Sequence, residues 1–225
     1  AQDFAGSSVA LNAAGNRMIV GAYGNDGAGG TAGHARVYEW NGTTWNQLGS
    51  DIDGEAAGDQ SGWSVAMSGN GNRVIVGARF NDGNNSNSGH VRMYQWSGSA
   101  WVQMGADIDG ESALDQFGYA VSMNDAGDRI AVGAINNDGN NSNSGHVRIY
   151  SWNGTSWGQV GADIDGEAGG DQSGYAVSLN AAGDKVVIGA ASNDAGNFNN
   201  GHVRVYSYDG TSWSQPVSYT HLTLP

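Results

Sequence analysis

Three short acidic segments hold the residues best suited to chemistry. They read DIDGEAAGDQ at 51–60, DIDGESALDQ at 107–116 and DIDGEAGGDQ at 163–172. Each carries four carboxylates: Asp51, Asp53, Glu55 and Asp59; then Asp107, Asp109, Glu111 and Asp115; then Asp163, Asp165, Glu167 and Asp171. A hard cation such as Ca²⁺ takes about six to eight oxygen ligands, carboxylates and backbone carbonyls among them. These acids are therefore the candidate metal ligands, and Ca²⁺ is the candidate ion. The competing role is structural, because Asp and Gly also make turns by local hydrogen bonding and permissive backbone angles. The spacing is not that of an EF-hand loop.

A second set of polar groups fills two Asn-rich segments at 81–89 and 137–145. Asp82, Asn84, Asn85, Asn87, Asp138, Asn140, Asn141 and Asn143 are the candidates for hydrogen bonding to a protein or glycan ligand. Four histidines, His34, His90, His146 and His202, recur at intervals of 56 residues. Such a regular step places them in separate structural units, too far apart to share one ion. Their expected role is a strand-end hydrogen bond or packing against the next unit. Arg36, Arg92, Arg148 and Arg204 follow two residues later and are expected to pair with the acidic segments. Most of the eight tryptophans flank turn dipeptides. Sugar stacking is one use for them, and cross-strand pairing is the expected one.

The same 56-residue step runs through Gly21, Gly77, Gly133 and Gly189, through Tyr38, Tyr94, Tyr150 and Tyr206, and through Trp45, Trp101, Trp157 and Trp213. A repeat outranks every other sequence signal. Within the third unit, GYAVSMN (118–124) alternates, which puts Tyr119, Val121 and Met123 on one face of a strand. RIAVGA (129–134) is an apolar, β-branched run suited to burial on both faces. GHVRIYSW (145–152) alternates again, with Val147 and Ile149 opposed to Arg148 and Tyr150. Asn153-Gly154 predicts a two-residue hairpin turn into TSWGQVG (155–161). Four antiparallel strands per unit, repeated, predict an all-β fold: a β-propeller of four-stranded blades spanning about 3–55, 59–111, 115–167 and 171–215. In such a blade the loop between the second and third strands and the blade-to-blade connector lie at one end. The acidic and Asn-rich segments should therefore share a face.

The pattern GYAVSMNDAGDRIAVGAINNDG…GHVRIYSW resembles the FG-GAP repeats of integrin-type β-propellers. Phe117-Gly118 supplies the FG, and Gly133-Ala134-Ile135 stands at the GAP end without its proline. The resemblance covers residue 3 to about 215. It implies an extracellular or cell-surface ligand-binding or adhesion module. It also implies more blades than four, so that the chain reads as a fragment of a larger propeller. The family's calcium loops join the first two strands as a DxDxDG-like segment. Here that position holds NAAGN (12–16), SGNGN (68–72), NDAGD (124–128) and NAAGD (180–184), so the family site is not carried over.

Composition narrows the function further. A net charge of −13 with only nine Lys and Arg offers no basic stripe for a phosphate backbone, so no nucleic-acid partner is expected. No apolar run is long enough to cross a membrane as a helix. The absence of cysteine excludes disulfides and thiolate metal sites. Nearly every acid, His or Ser is a copy of a repeat position, and no nucleophile–base pair stands out, so the chain is expected not to be an enzyme. A carbohydrate-active propeller enzyme and a purely structural spacer are the alternatives. The departures from symmetry are slight: Arg79-Phe80, Tyr23 and Phe198 in the long loops, and Phe117 at a strand start. An open arc of blades would leave two apolar sheet faces uncovered and so predicts self-association. The last ten residues, PVSYTHLTLP (216–225), match no blade and are expected to lie outside the fold.

Overall fold

The computed structural model describes residues 2–194 and 200–215; the non-repeat tail and Phe198 lie outside the described residues. The chain is a β-propeller array of four antiparallel sheets, with no helix among the described residues. The first strands are Ser8–Leu11, Ser61–Met67, Phe117–Met123 and Ser173–Leu179. The second are Arg17–Ala22, Arg73–Ala78, Arg129–Ala134 and Lys185–Ala190. The third are His34–Trp40, His90–Trp96, His146–Trp152 and His202–Tyr208. The fourth are the short Trp45–Gln47, Trp101–Gln103, Trp157–Gln159 and Trp213–Ser214. In every sheet the strands lie in chain order.

The core is built between blades. Ile19, Val37 and Ile52 of the first blade meet Val65, Met67, Val74 and Val76 of the second. Ile75, Val91 and Met93 meet Phe117, Met123, Ile130 and Val132 across the next gap, and Val147 and Ile149 meet Leu179, Val186 and Ile188 across the last. A second strand such as Arg129–Ala134 is buried on both faces because both faces meet a neighbouring sheet, as its unbroken apolar run requires. At about 25 cal/mol per Å² of apolar surface, this stacking supplies the burial that one small sheet could not find alone.

Glycine sets how closely the blades approach. A methyl group built on Gly21, Gly77 or Gly133 would run into the carbonyl oxygen of Gly62, Gly118 or Gly174 of the following blade. Those partner glycines have φ of 82°, 87° and 93°, which L side chains rarely adopt. They stand in a bulge where the first strand shifts register, between Ser61 and Ser64, Phe117 and Ala120, and Ser173 and Ala176. The bulge corrects one expectation. Val121 and Met123 do pack into the gap between the second and third blades, but Tyr119, inside the bulge, joins an aromatic row instead.

The outer edge is held by tryptophan. Trp40 pairs Trp45 across the last hairpin, and Trp96 pairs Trp101, with ring centroids 5.5 and 5.3 Å apart. The indole N–H of Trp101, Trp157 and Trp213 donates to the carbonyl of Leu48, Met104 and Val160 of the preceding blade at 2.8–2.9 Å. These rings are structural staples. The hairpin also differs from the expected two-residue turn: residues 41–44 form a four-residue loop in which the Asn41 side-chain oxygen accepts from the backbone N–H groups of Thr43 and Thr44. Only the glycine of the dipeptide takes positive φ, 101° at Gly42.

Gly133→Ala should therefore destabilise the array by about 3 kcal/mol through overpacking against fixed backbone. Gly158→Ala, into open space, should change stability by less than about 0.5 kcal/mol. Urea unfolding of the two variants checks the contrast.

Candidate functional site

The acidic connectors and the Asn-rich loops meet at one end of the blades. Two connector residues, Ile52–Asp53, Ile108–Asp109 or Ile164–Asp165, form a short strand that pairs with the start of the preceding third strand. The register sets His34 opposite Asp53, His90 opposite Asp109 and His146 opposite Asp165. Each histidine is thus brought against carboxylates of the connectors. Three groups result with donor atoms within 4.8 Å of one another: His34, Asp51 and Asp53; Glu55, His90 and Asp107; Glu111, His146 and Asp163. Such groups could hold a metal ion.

The twelve candidate acids have separate fates. Asp59, Asp115 and Asp171 are buried and committed to the turn. The Oδ2 of Asp59 accepts from Ala56 N–H at 2.9 Å and Asn81 Nδ2 at 3.0 Å, and Asp115 and Asp171 repeat this with Ser112 and Asn137, and with Ala168 and Asn193. These three belong to the fold and to none of the metal-capable groups. Asp51 takes a bidentate pair from Arg36 at 2.9 and 2.7 Å, and Asp163 takes the same from Arg148, which also reaches Glu111. Burial pushes Asp163 up, but the Arg148 hydrogen bonds and charge outweigh it and hold the carboxyl below its ordinary value. Glu167 lies 3.1 Å from His202, and burial with the charge of Asp163 raises Asp165.

The second blade differs from the first and third, and its arginine makes the contact that Arg204 makes in the fourth, where Nη2 donates to the Asp165 carbonyl at 2.7 Å. Arg92 turns away from Asp107: its Nη2 donates to the Asp53 carbonyl at 2.6 Å, and its Nη1 lies 3.5 Å from Glu55 Oε1. Asp107 Oδ1 accepts from Gln103 Nε2 at 2.6 Å, and its Oδ2 is left facing His90. Burial and then the Asp107 charge raise Asp109. Burial, helped by Arg92, lowers the His90 pKa to about 4, so its imidazole is neutral at pH 7. His90 is 1% exposed, and its Nδ1 has no hydrogen-bond partner. The expected strand-end hydrogen bond is therefore absent at this nitrogen, and at both ring nitrogens of His146.

The Asn-rich loops are largely occupied with themselves and with the connectors. Asp82 Oδ1 accepts from Asn87 N–H at 2.6 Å, and Asp138 Oδ1 from Asn143 N–H at 2.7 Å. Asn87 and Asn143 hold φ near 51° and 52°. Asn84 and Asn140 donate to the carbonyls of Gly110 and Gly166, and Asn85 to that of Glu111. Exposed Asn141 and Asn143 remain at the surface, the latter on a hollow of about 480 Å³ that Asn136, Gln172 and Ser192 also line.

An aromatic row was not legible in the sequence. Phe4, Tyr23, Trp63, Tyr119 and Tyr175 follow one another with ring centroids 4.9, 4.9, 5.7 and 5.2 Å apart. Trp63, Tyr119 and Tyr175 each follow the bulge glycine of a first strand. First strands of successive blades pack beside one another, so the row runs along the inner side of the array. The Arg79 guanidinium lies 3.2 Å from the centroid of Trp63 and 4.3 Å from that of Phe80. Its Nε donates to Gln60 Oε1 at 3.0 Å. No carboxylate among the described residues pairs with it, and burial holds its pKa below the ordinary arginine value. The one available signal was the departure of Arg79-Phe80 from the repeat.

Residues 52–94 and 107–150 match the family model described as FG-GAP repeat. No curated protein matches the chain. Among solved structures, a candidate 6-phosphogluconolactonase from Bacteroides uniformis is similar, at 9% identity and a TM-score of 0.62, over 93% of this chain and 52% of that one. The periplasmic gluconolactonase of Pseudomonas aeruginosa is similar at 13% identity and a TM-score of 0.60, over 98% of this chain and 59% of that one. The chain thus spans little more than half the length of either structure, and at these identities the likeness is one of fold. It corrects the expectation that the chain is not an enzyme, because this fold is carried by proteins described as lactonases. That expectation rests on departures from symmetry that look slight in residue type, whereas Arg92 and Arg148, equivalent in the repeat, have different partners.

Asp163→Asn should cost about 2 kcal/mol at pH 7, the contribution of hydrogen bonds to a charged group. Because Asp163 is held below its ordinary value of 3.8, its stabilisation is complete above that pH and lost as pH falls through the lowered value. Thermal melts of wild type and variant should differ fully above about pH 4 and converge only below it.

Proposed function

For a β-propeller that carries FG-GAP repeats, we propose an extracellular or cell-surface ligand-binding module that takes an anionic carbohydrate on its aromatic row. The observation that carries this is Arg79, a half-buried guanidinium laid over Trp63 with no carboxylate partner among the described residues. A desolvated cation without a counter-charge is costly, and an incoming carboxylate or sulfate would complete it with charge-assisted hydrogen bonds. The rings on either side supply negative π faces for the C–H faces of a sugar. The net charge of −13 opposes an anion only weakly at this point, since exposed charges are screened beyond about 8 Å at physiological salt.

Calcium-dependent adhesion is a finer version of this function, and its support is the set of connector carboxylates. Every metal-capable group among the described residues, however, includes an imidazole nitrogen, while calcium sites are built of oxygen. The ligand site is accordingly proposed without calcium. A carbohydrate-active enzyme is the second reading, favoured by one observation: the two similar solved structures named above are described as a 6-phosphogluconolactonase and a gluconolactonase.

Fluorescence titration with an oligoglucuronate and with a neutral cello-oligosaccharide tests the proposal. Trp63 emission should change with the acidic sugar. Arg79→Gln should weaken that binding at least about tenfold, equivalent to about 1.4 kcal/mol, and leave the melting temperature unchanged. Equal binding of both sugars, or of neither, would overturn it. Hydrolysis of gluconolactone by the same preparation would favour the enzyme.

A further inference from the structure

We propose that Glu55, His90 and Asp107 form a binding site for one divalent cation of the zinc class, with Asp109 beside it as a further negative charge. Independently of the sugar site, it rests on a buried nitrogen without a hydrogen-bond partner that faces carboxylate oxygens. His90 Nδ1 lies 3.7 Å from Glu55 Oε2, 4.0 Å from Asp107 Oδ2 and 3.8 Å from Asp109 Oδ1. All three separations are too long for hydrogen bonds. They are close to what one ion would impose. Zinc binds nitrogen and oxygen at about 2.0–2.2 Å, which sets tetrahedral neighbours about 3.4 Å apart.

Charge and donor type point the same way. Three carboxylates around His90, with Arg92 as the one guanidinium beside them, leave a local charge of minus two. Arg92 engages Glu55 through Oε1 and leaves Oε2 toward His90. Gln103 holds Asp107 through Oδ1 and leaves Oδ2 toward the same point. Glu55 and Asp107 thus each have one oxygen engaged and the other aimed inward. An imidazole nitrogen among the donors selects a borderline cation such as Zn²⁺ over Ca²⁺ or Mg²⁺. The related groups in the neighbouring blades are closed by arginine: Arg36 occupies Asp51, and Arg148 occupies both Asp163 and Glu111. One site per chain is therefore expected among the described residues.

Isothermal titration with zinc chloride and, separately, with calcium chloride tests this on the whole chain, paired with thermal melts. Zinc should bind with one equivalent that raises the melting temperature, and calcium should not compete. His90→Gln should weaken that equivalent by at least about 100-fold, while His146→Gln should leave it intact. Asp107→Asn/Asp109→Asn, more exposed than His90, should lose it even if His90→Gln fails to fold. X-ray absorption of the loaded protein should show nitrogen and oxygen donors together. Absence of a zinc shift, or zinc binding unchanged in Asp107→Asn/Asp109→Asn, would overturn the proposal.

Discussion

Everything in this molecule depends on how closely one blade lies against the next. The approach is set where Gly21, Gly77 or Gly133 meets the backbone of Gly62, Gly118 or Gly174, with no room for a methyl group between them. That contact fixes the distance at which the apolar layers interdigitate. Because core packing tolerates errors of barely a methylene, the glycine pairs act as spacers for the whole array. Gly62, Gly118 and Gly174 also stand in the bulges of the first strands of the second, third and fourth blades, and the bulge turns Trp63, Tyr119 and Tyr175 out of the core register and into a row. A structural necessity of stacking thereby produces the most distinctive surface the chain has.

The same geometry explains why a repeat protein can carry single sites. The connector strand puts an aspartate opposite His34, His90 and His146 by register alone, so the first three blades each inherit an acid–imidazole cluster. What differs is the arginine two residues on. Where it reaches its own connector the cluster is neutralised, as at Arg36 and Arg148. Where it turns to the preceding connector, as Arg92 does, the carboxylates are left facing a neutral, unpartnered nitrogen. The second blade also bears Arg79 on Trp63. The sugar site thus lies in a departure of residue type from the repeat, and the His90 cluster in a difference between the partners of Arg92 and those of Arg36 and Arg148.

Much of the fold was legible because it is periodic. The 56-residue step, the strand alternation in GHVRIYSW and the doubly buried RIAVGA follow from apolar periodicity that one sheet cannot satisfy alone. The resemblance to FG-GAP repeats rested on the glycines that later proved to be the interblade contacts. The sites were less legible. Asp59 looks like a ligand beside Glu55, yet its partner is Asn81, 22 residues away on the adjoining loop. The row of rings depends on a register shift that no local pattern announces. The exclusion of an enzyme rested on a symmetry visible in residue types but absent from their partners.

Ligand recognition by the aromatic row and Arg79, which has no carboxylate partner among the described residues, is best tested by a structure of the chain with a bound oligoglucuronate. The expected result is a sugar ring over the Trp63–Tyr119 pair, with its carboxylate hydrogen-bonded to Arg79. Density for the sugar in the Asn-lined hollow beside Asn136 and Asn143, with the Arg79 stack unchanged, would contradict it.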